Sequence, residues 1–136
     1  MLSAPTTIDC GGAVVHVTTP ETIIQSPNYP KDYLNNQDCK AVVKFTQGQR
    51  VSVEFLAFSV EYGCCGCRHD WLEIRDGSDS SANRLAKKCG SHLFPPIYST
   101  GNTLYLHFHT DRSKTRSGFQ LRVQHAPGMH HFLEWM

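Results

Sequence analysis

The stretch Glu61–Gly77, EYGCCGCRHDWLEIRDG, decides the fold of this 136-residue chain. Three of the six cysteines lie in it, between the carboxylates of Glu61 and Asp70. The residues that follow alternate, with Leu72 and Ile74 on one side, as in a half-buried β-strand. The stretch therefore predicts a covalently stiffened loop between two strands. Acidic side chains at both edges of such a loop suit an oxygen-ligand cation, provided that a third carboxylate arrives from elsewhere.

The composition limits what kind of protein this is. A chain of 136 residues forms one domain on ordinary priors, and its formal net charge is +1. The absence of a basic stripe argues against nucleic-acid binding, and the absence of a long apolar run argues against membrane insertion. The first residues lack the basic start and apolar centre of a signal peptide, so we expect a targeting segment to lie elsewhere.

The cysteine count indicates a disulfide framework. The number is even and high for a domain of this size, which is typical of proteins that fold in an oxidising compartment. Six cysteines allow fifteen pairings, and their spacing does not choose among them. The cysteines are Cys10, Cys39, Cys64, Cys65, Cys67 and Cys89.

Short alternating segments recur along the chain, and none of useful length has the period of a helix. The polar run 31–38 and the proline-flanked turn Ser26–Pro30 are predicted loops. An all-β fold follows, an antiparallel sandwich in which each of two sheets has one core face and one wet face. The clearest predicted strands are Cys39–Phe45, Arg50–Phe58, Trp71–Arg75, Thr103–Thr110 and Phe119–Gln124.

The ends of the chain have a different character. Residues 1–9 are polar, and we predict a flexible N-terminal extension. Residues 126–136 fit no strand, and we predict a C-terminal linker or tail. The folded domain is then expected to span residues 10–125.

Taken together, the ordered motifs of the chain resemble those of a CUB domain. The resemblance covers about Cys10 to His125, and it rests on many motifs in the family's order. These are Cys10-Gly11, Ser26-Pro27-Asn28-Tyr29-Pro30, Cys39, Phe58-Ser59-Val60-Glu61, His69 to Gly77, Cys89-Gly90, Pro95-Pro96-Ile97-Tyr98-Ser99, Gly101-Asn102-Thr103-Leu104, Phe108-His109-Thr110-Asp111 and Gly118-Phe119.

The resemblance implies a disulfide-stabilised jelly-roll sandwich of two sheets. It also implies a non-catalytic recognition module that is secreted or belongs to the ectodomain of a membrane protein. A Cys10–Cys39 bridge is implied, with a second bridge from the 64/65/67 cluster to Cys89. The family usually has one cysteine in that loop, whereas this chain has three. For the extra pair we expect a local ring, Cys65–Cys67 or Cys64–Cys67, because adjacent cysteines pair with strain. Cys64 or Cys67 then reaches Cys89, and we favour Cys67.

Many CUB domains carry a calcium site, and its three acidic positions are all occupied here. The resemblance places Glu61, Asp70 and Asp111 at them, with the backbone carbonyl of Ser113 as a further ligand. Calcium takes oxygen ligands and tolerates irregular loops. Lys114 stands where family members often have an oxygen ligand, so one ligand is expected to be missing.

The resemblance also implies how a partner protein binds. Calcium-ordered loops present acidic oxygens to a lysine or arginine of the partner, and such an ion pair adds specificity. For Tyr29 we weigh a structural role, packed by its two prolines, against a role in binding. The predicted partner-binding residues are Tyr29, Tyr62, Asp111, Arg112 and Ser113.

Other functions compete with calcium-dependent protein recognition. The run Cys64–His69 resembles half of a zinc knuckle, but the usual second ligand pair is missing. No hydrolase, metalloprotease or phosphate-loop motif is present, so an enzyme is not predicted. If the parent protein is an astacin-type or serine protease, this domain is an accessory substrate-recognition module. His107 and His109 alternate on the outer face of one predicted strand. A pH-sensitive or metal-binding patch is weighed for them, but exposed strand histidines are usually plain surface, and that interpretation is favoured.

Glycan or heparin binding, as in the spermadhesins, is the second binding mode. It needs a basic face, and the chain has basic residues but no basic run. The candidates are Lys87, Lys88, Arg112, Lys114, Arg116 and Arg122.

Overall fold

The computed structural model describes residues 4–19, 21–63 and 66–126. These residues form ten β-strands and no helix. The first five strands are β1 (Thr6–Thr7), β2 (Val14–Val17), β3 (Thr22–Gln25), β4 (Asp38–Lys44) and β5 (Val51–Ser59). The other five are β6 (Trp71–Asp76), β7 (Asn83–Lys88), β8 (Ile97–Tyr98), β9 (Thr103–His109) and β10 (Gly118–His125).

The strands form two five-stranded sheets that pack face to face. One sheet has the order β1-β3-β10-β5-β8 and the other β2-β4-β9-β6-β7. The predicted all-β sandwich is confirmed. Two edge pairs, β1 with β3 and β2 with β4, are parallel rather than antiparallel. Each pair is joined through a strand of the opposite sheet, and such a crossover allows the parallel direction.

The core lies between the sheets, where alternating side chains of the central strands meet. Leu104, Leu106 and Phe108 of β9 are fully buried, and so are Phe119 and Leu121 of β10. The period-two pattern therefore predicted correctly which face of each strand points inward. The residues that alternate with them on β9, Tyr105, His107 and His109, point to the outer face of the sheet.

Part of the segment predicted as an N-terminal extension lies on a sheet edge. Thr6–Thr7 pair with β3, and Ile8, which is 1% exposed, donates its N–H to the Gln25 carbonyl at 3.0 Å. Burial of the Ile8 side chain holds this segment on the sheet edge. At the other end, Ala126 is buried, and residues 127–136 lie outside the described part of the chain.

Two disulfides cross-link the described residues, Cys10–Cys39 and Cys67–Cys89. Leu72 pairs with Lys88 across β6 and β7, which brings Cys89 beside the loop that precedes β6. Cys67 is therefore engaged with Cys89. The favoured Cys67–Cys89 pairing is formed, and the predicted local ring, which used Cys67, is wrong. A bridged Cys67 is also unavailable to the competing zinc knuckle, which the sequence does not favour. Cys64 and Cys65 lie outside the described residues.

Candidate metal centre

Three acidic residues from distant parts of the chain meet at one end of the sandwich. Glu61 follows β5, Asp70 precedes β6 and Asp111 follows β9. Trp71 pairs with His109, so the start of β6 lies next to the end of β9. The Asp111 backbone N–H donates a 2.8 Å hydrogen bond to Asp70 Oδ1. Sheet register thus brings together the acids that the sequence predicted.

The hydroxyl of Tyr33 links Asp70 and Glu61 through hydrogen bonds. It donates a hydrogen bond to Asp70 Oδ2 at 2.6 Å and accepts one from the Glu61 backbone N–H at 3.0 Å. The side chain is 1% exposed and packs edge-on against Phe108 at 5.1 Å. In the sequence, Tyr33 falls in a polar predicted loop, where its role is not apparent. The available signal was that Tyr33 is the one aromatic residue of the run 31–38.

His69 is a second residue that the sequence analysis did not place in the site. Its Nδ1 lies 3.1 Å from Asp111 Oδ2. Among the described residues, Glu61, His69 and Asp111 each offer a ligand atom, and these atoms lie within 4.8 Å of one another. A Cβ on Gly63 would overlap the His69 ring, so a glycine at 63 makes room for this arrangement.

Burial and like charge make the site electrostatically costly without a cation. Glu61 is 6% exposed, and its Oε1 has no hydrogen-bond partner among the described residues. Burial raises the pKa of Glu61, and the charges of Asp70 and Asp111 raise it further. Burial also raises the pKa of Asp70, which is fully buried, despite the hydrogen bonds from Tyr33 and the Asp111 backbone. The site therefore favours any ligand that brings positive charge.

The pKa of Asp111 is shifted in the opposite direction, below its usual value. Burial alone would raise its pKa, but the hydrogen bonds from the Ser113 N–H and from His69 hold the pKa of Asp111 below its usual value. Its carboxylate is half-buried and stays charged most easily of the three. An anionic oxygen at the mouth of a buried acidic cluster can both hold a cation and meet a partner.

Among the predicted partner-binding residues, those next to the acids in the chain differ in exposure from Tyr29. Tyr62 is 69% exposed next to Glu61, and Arg112 and Ser113 are exposed next to Asp111. Tyr29 is half-buried in the turn Ser26–Pro30, where its N–H donates to the Ser26 carbonyl. Both roles weighed for Tyr29, structural and partner-binding, stay predictions.

The basic residues considered for glycan binding do not share one surface. Lys87 lies over the Trp71 ring at 5.0 Å, while its neighbour Lys88 lies over Phe94 at 4.6 Å. Arg122 belongs to the other sheet, where it pairs with Glu54 at 3.1 Å. The single basic face that this binding mode requires is therefore not formed by these six residues.

Comparison with known proteins agrees with this architecture. The family model described as CUB domain matches residues 10–123. Cubilin from Canis lupus familiaris is 39% identical over 104 residues, which cover 76% of this chain and 3% of cubilin. The chain thus spans a small part of the curated relatives that it matches.

Two solved structures are similar across most of the fold. The MASP-1 CUB2 domain bound to Ca²⁺ has a TM-score of 0.74 and 25% identity, covering 85% of this chain and 99% of that one. The extracellular region of zebrafish Gpr126/Adgrg6 has a TM-score of 0.73 and 29% identity, covering 82% of this chain and 14% of that one.

No membrane-spanning helix occurs in the part of the chain that the structure describes. The family match, the relatives and the two disulfides all indicate the same kind of domain. The chain belongs to the CUB domain family and is, as the sequence predicted, an extracellular and non-catalytic module.

Proposed function

We propose that this domain binds Ca²⁺ through Glu61, Asp70 and Asp111, and that the bound ion orders loops which recognise an extracellular partner protein. The observation that carries the proposal is Glu61 Oε1, a buried carboxylate oxygen without a hydrogen-bond partner among the described residues. A buried anion in that state costs free energy unless it is paired or coordinates a metal. Asp70 and Asp111 add to the negative charge around it, and a bound cation would offset that charge.

The donor set fits calcium. Both oxygens of Asp70 already accept a hydrogen bond, from Tyr33 and from Asp111, but a carboxylate offers about four lone-pair sites. Each oxygen therefore keeps capacity for an ion. Ca²⁺ accepts carboxylate, carbonyl and water oxygens at about 2.3–2.6 Å in irregular geometry. The Ser113 carbonyl and water would complete the coordination.

The relatives support this assignment. The MASP-1 CUB2 domain, which shares the fold, was solved bound to Ca²⁺. The ion supplies positive charge, and the residues of this chain set its position. The Tyr33 hydroxyl and the Asp111 backbone N–H each donate a hydrogen bond to the Asp70 carboxylate and so fix its position.

Partner recognition follows from the side of the site that faces solvent. The carboxylate of Asp111 is half-buried, and Tyr62, Arg112 and Ser113 are exposed beside the acids. A lysine or arginine of the partner would pair with Asp111 while its aliphatic stem packs on Tyr62. An ion pair of this kind gives specificity and speeds encounter, while the surrounding contacts give affinity.

The experiment separates calcium binding from recognition. Calorimetry measures Ca²⁺ binding to the wild type, to Asp111→Asn and to the control Asp79→Asn, whose carboxylate lies in the exposed loop between β6 and β7. A peptide array then presents capped peptides with one central lysine, each matched by its acetyl-lysine version. We expect Asp111→Asn to lose calcium binding, and lysine peptides to bind only when calcium is present.

Two results would overturn the proposal. Equal calcium affinity in the wild type and Asp111→Asn would show that the acids are not the ligands. Peptide binding that survives a chelator, or that ignores acetylation, would show that recognition does not use calcium-ordered acidic groups.

A further inference from the structure

A polar cleft of about 420 Å³ lies where the chain leaves β5 and where it leaves β7. The described residues that line it include an arginine and a histidine but no carboxylate. The cleft therefore carries positive charge, whereas the acidic centre beside it carries negative charge. The lining residues are Val60, Tyr62, Gly90, Ser91, His92 and Arg116.

Two buried residues form the floor of the cleft. Val60 and Gly90 exchange a pair of backbone hydrogen bonds, of 3.0 and 2.8 Å, which fix the floor. Gly90 has φ of 92°, a conformation that glycine adopts without strain. A Cβ at this position would lie 3.6 Å from the His92 ring and 3.8 Å from the Tyr62 ring. The glycine therefore leaves open the space beside both rings.

Two polar side chains at the edge of the cleft are held by contacts of their own. The Ser91 hydroxyl oxygen lies 3.1 Å from that of Ser59, within hydrogen-bond distance. The His92 ring meets Phe94 edge-on at 5.8 Å, and Phe94 packs on two aromatic residues of β5. Side chains that are already positioned lose less conformational freedom when a ligand binds. The cleft is thus preorganised.

Arg116 supplies the permanent charge of the cleft. A guanidinium has five N–H donors in a planar fork that matches a carboxylate. Arg116 donates from Nη1 to the Thr115 carbonyl at 2.8 Å, and it forms no ion pair within the described residues. Most of its donors therefore remain available to a ligand. In contrast, three other arginines pair with acids of this chain: Arg75, Arg84 and Arg122.

We infer that this cleft binds a side-chain carboxylate of the partner protein. The fork of Arg116 is its main donor, and the Ser91 hydroxyl and the His92 ring add further N–H or O–H donors. Hydrogen bonds between a guanidinium and a carboxylate are charge-assisted, and they are stronger than neutral ones. The inference rests on the proposed function in one respect, namely that the same partner also meets the acidic centre.

Tyr62 lies between the two sites. Its side chain is 69% exposed and lines the cleft, and it directly follows Glu61 in the chain. A segment of the partner that crosses Tyr62 can therefore present a basic group to Asp111 and an acidic group to Arg116. A sulfated glycan fits this surface less well, because a single arginine faces it and the neighbouring acids repel a polyanion.

The test has two parts. Nitrogen-15 spectra of the wild type follow the addition of N-acetylglutamate amide, of N-acetylglutamine amide and of inorganic sulfate, with calcium and in chelator. Capped peptides then carry one lysine and, at varied spacing, either a glutamate or a glutamine. Their affinities in calcium are measured for the wild type, for Arg116→Gln and for the control Arg84→Gln, which makes the same change at an exposed arginine on β7.

We expect N-acetylglutamate amide to shift the Arg116 Nε–H signal and the backbone N–H signals of Gly90 and Ser91, while the glutamine probe leaves them in place. At the best spacing, the glutamate peptide should bind the wild type about two- to fivefold more tightly than its glutamine version. Arg116→Gln should reduce this ratio to one, and Arg84→Gln should preserve it. Thermal unfolding of both variants checks the fold.

Other outcomes overturn the inference. A ratio of one in the wild type at every spacing, or a ratio that persists in Arg116→Gln, would show that the partner's carboxylate is not bound here. Sulfate that shifts the Arg116 signal when the glutamate probe does not would assign the cleft to a sulfated glycan. Failure of the proposed function is distinguishable, because no lysine peptide would then bind in calcium, while the wild-type spectra would still report on the cleft.

Discussion

The hydroxyl of Tyr33 donates a 2.6 Å hydrogen bond to Asp70 Oδ2, across 37 positions of sequence. The Tyr33 hydroxyl oxygen in turn accepts a hydrogen bond from the Glu61 N–H at 3.0 Å. One buried phenol thus connects the end of β5 to the start of β6, beneath the loop that carries the cysteines. Its pKa is raised, chiefly by burial, so the group remains a neutral donor at physiological pH.

Replacing Tyr33 with phenylalanine should weaken both the fold and the calcium site. The change leaves a buried carboxylate oxygen and a buried N–H without their partner, which costs about 1–3 kcal/mol. Denaturant unfolding measures the loss of stability, and calorimetry measures calcium affinity. Tyr98→Phe, at an exposed position, is the matched control. Unchanged stability in Tyr33→Phe would mean that water replaces the hydroxyl at no cost.

Glu61→Gln should be more stable than the wild type without calcium and less stable than the wild type with calcium. In chelator, the variant should melt at a higher temperature than the wild type, because it removes a charge that burial disfavours. In calcium, the wild type should be the more stable protein, since a ligand at a hundred times its dissociation constant adds about 2.7 kcal/mol. Melting curves in both buffers provide the test. Parallel curves without a crossover would contradict the assignment of Glu61.

Lys114→Asn should increase calcium affinity. Lys114 has φ of 65°, a left-handed conformation that asparagine tolerates better than lysine. Asparagine relieves part of the roughly 1–2 kcal/mol that an L-residue costs in this conformation. The substitution also removes a positive charge beside the acids and adds an amide oxygen. Lys114→Gly relieves the strain and removes the charge without adding an oxygen. Calorimetry of both variants isolates the oxygen, and equal affinities would show that residue 114 supplies no ligand.

A pH-dependent contribution to stability is expected in the loop between β6 and β7, away from the acidic cluster. The Ser81 hydroxyl and N–H donate to Asp79 Oδ1 and lower the pKa of Asp79. A lowered acid pKa contributes stability above the usual pKa, and this contribution is lost as the pH falls through the lowered value. Ser81→Ala should raise the pKa of Asp79 in an NMR titration. An unchanged titration would show that the backbone N–H alone sets the pKa.

Much of the fold could be predicted from local pattern. Alternation along β9 identified Leu104, Leu106 and Phe108 as core residues, because side chains in a strand alternate between two faces. The same pattern did not reveal β1, since two residues are too few to show a period. Ile8 is buried only because an edge of the sheet is free to accept this segment.

The amino-acid sequence alone determined the strand periodicity and the even cysteine count, because these depend on residue type and spacing. The three acidic positions came from the resemblance of the motifs to those of a CUB domain. Only the tertiary structure decided which groups meet. Strand register places Asp70 beside Asp111 and Asp38 opposite His109, and the β6–β7 hairpin joins Cys67 to Cys89. Contacts between residues tens of positions apart depend on how sheets align in space, and no local pattern encodes that alignment.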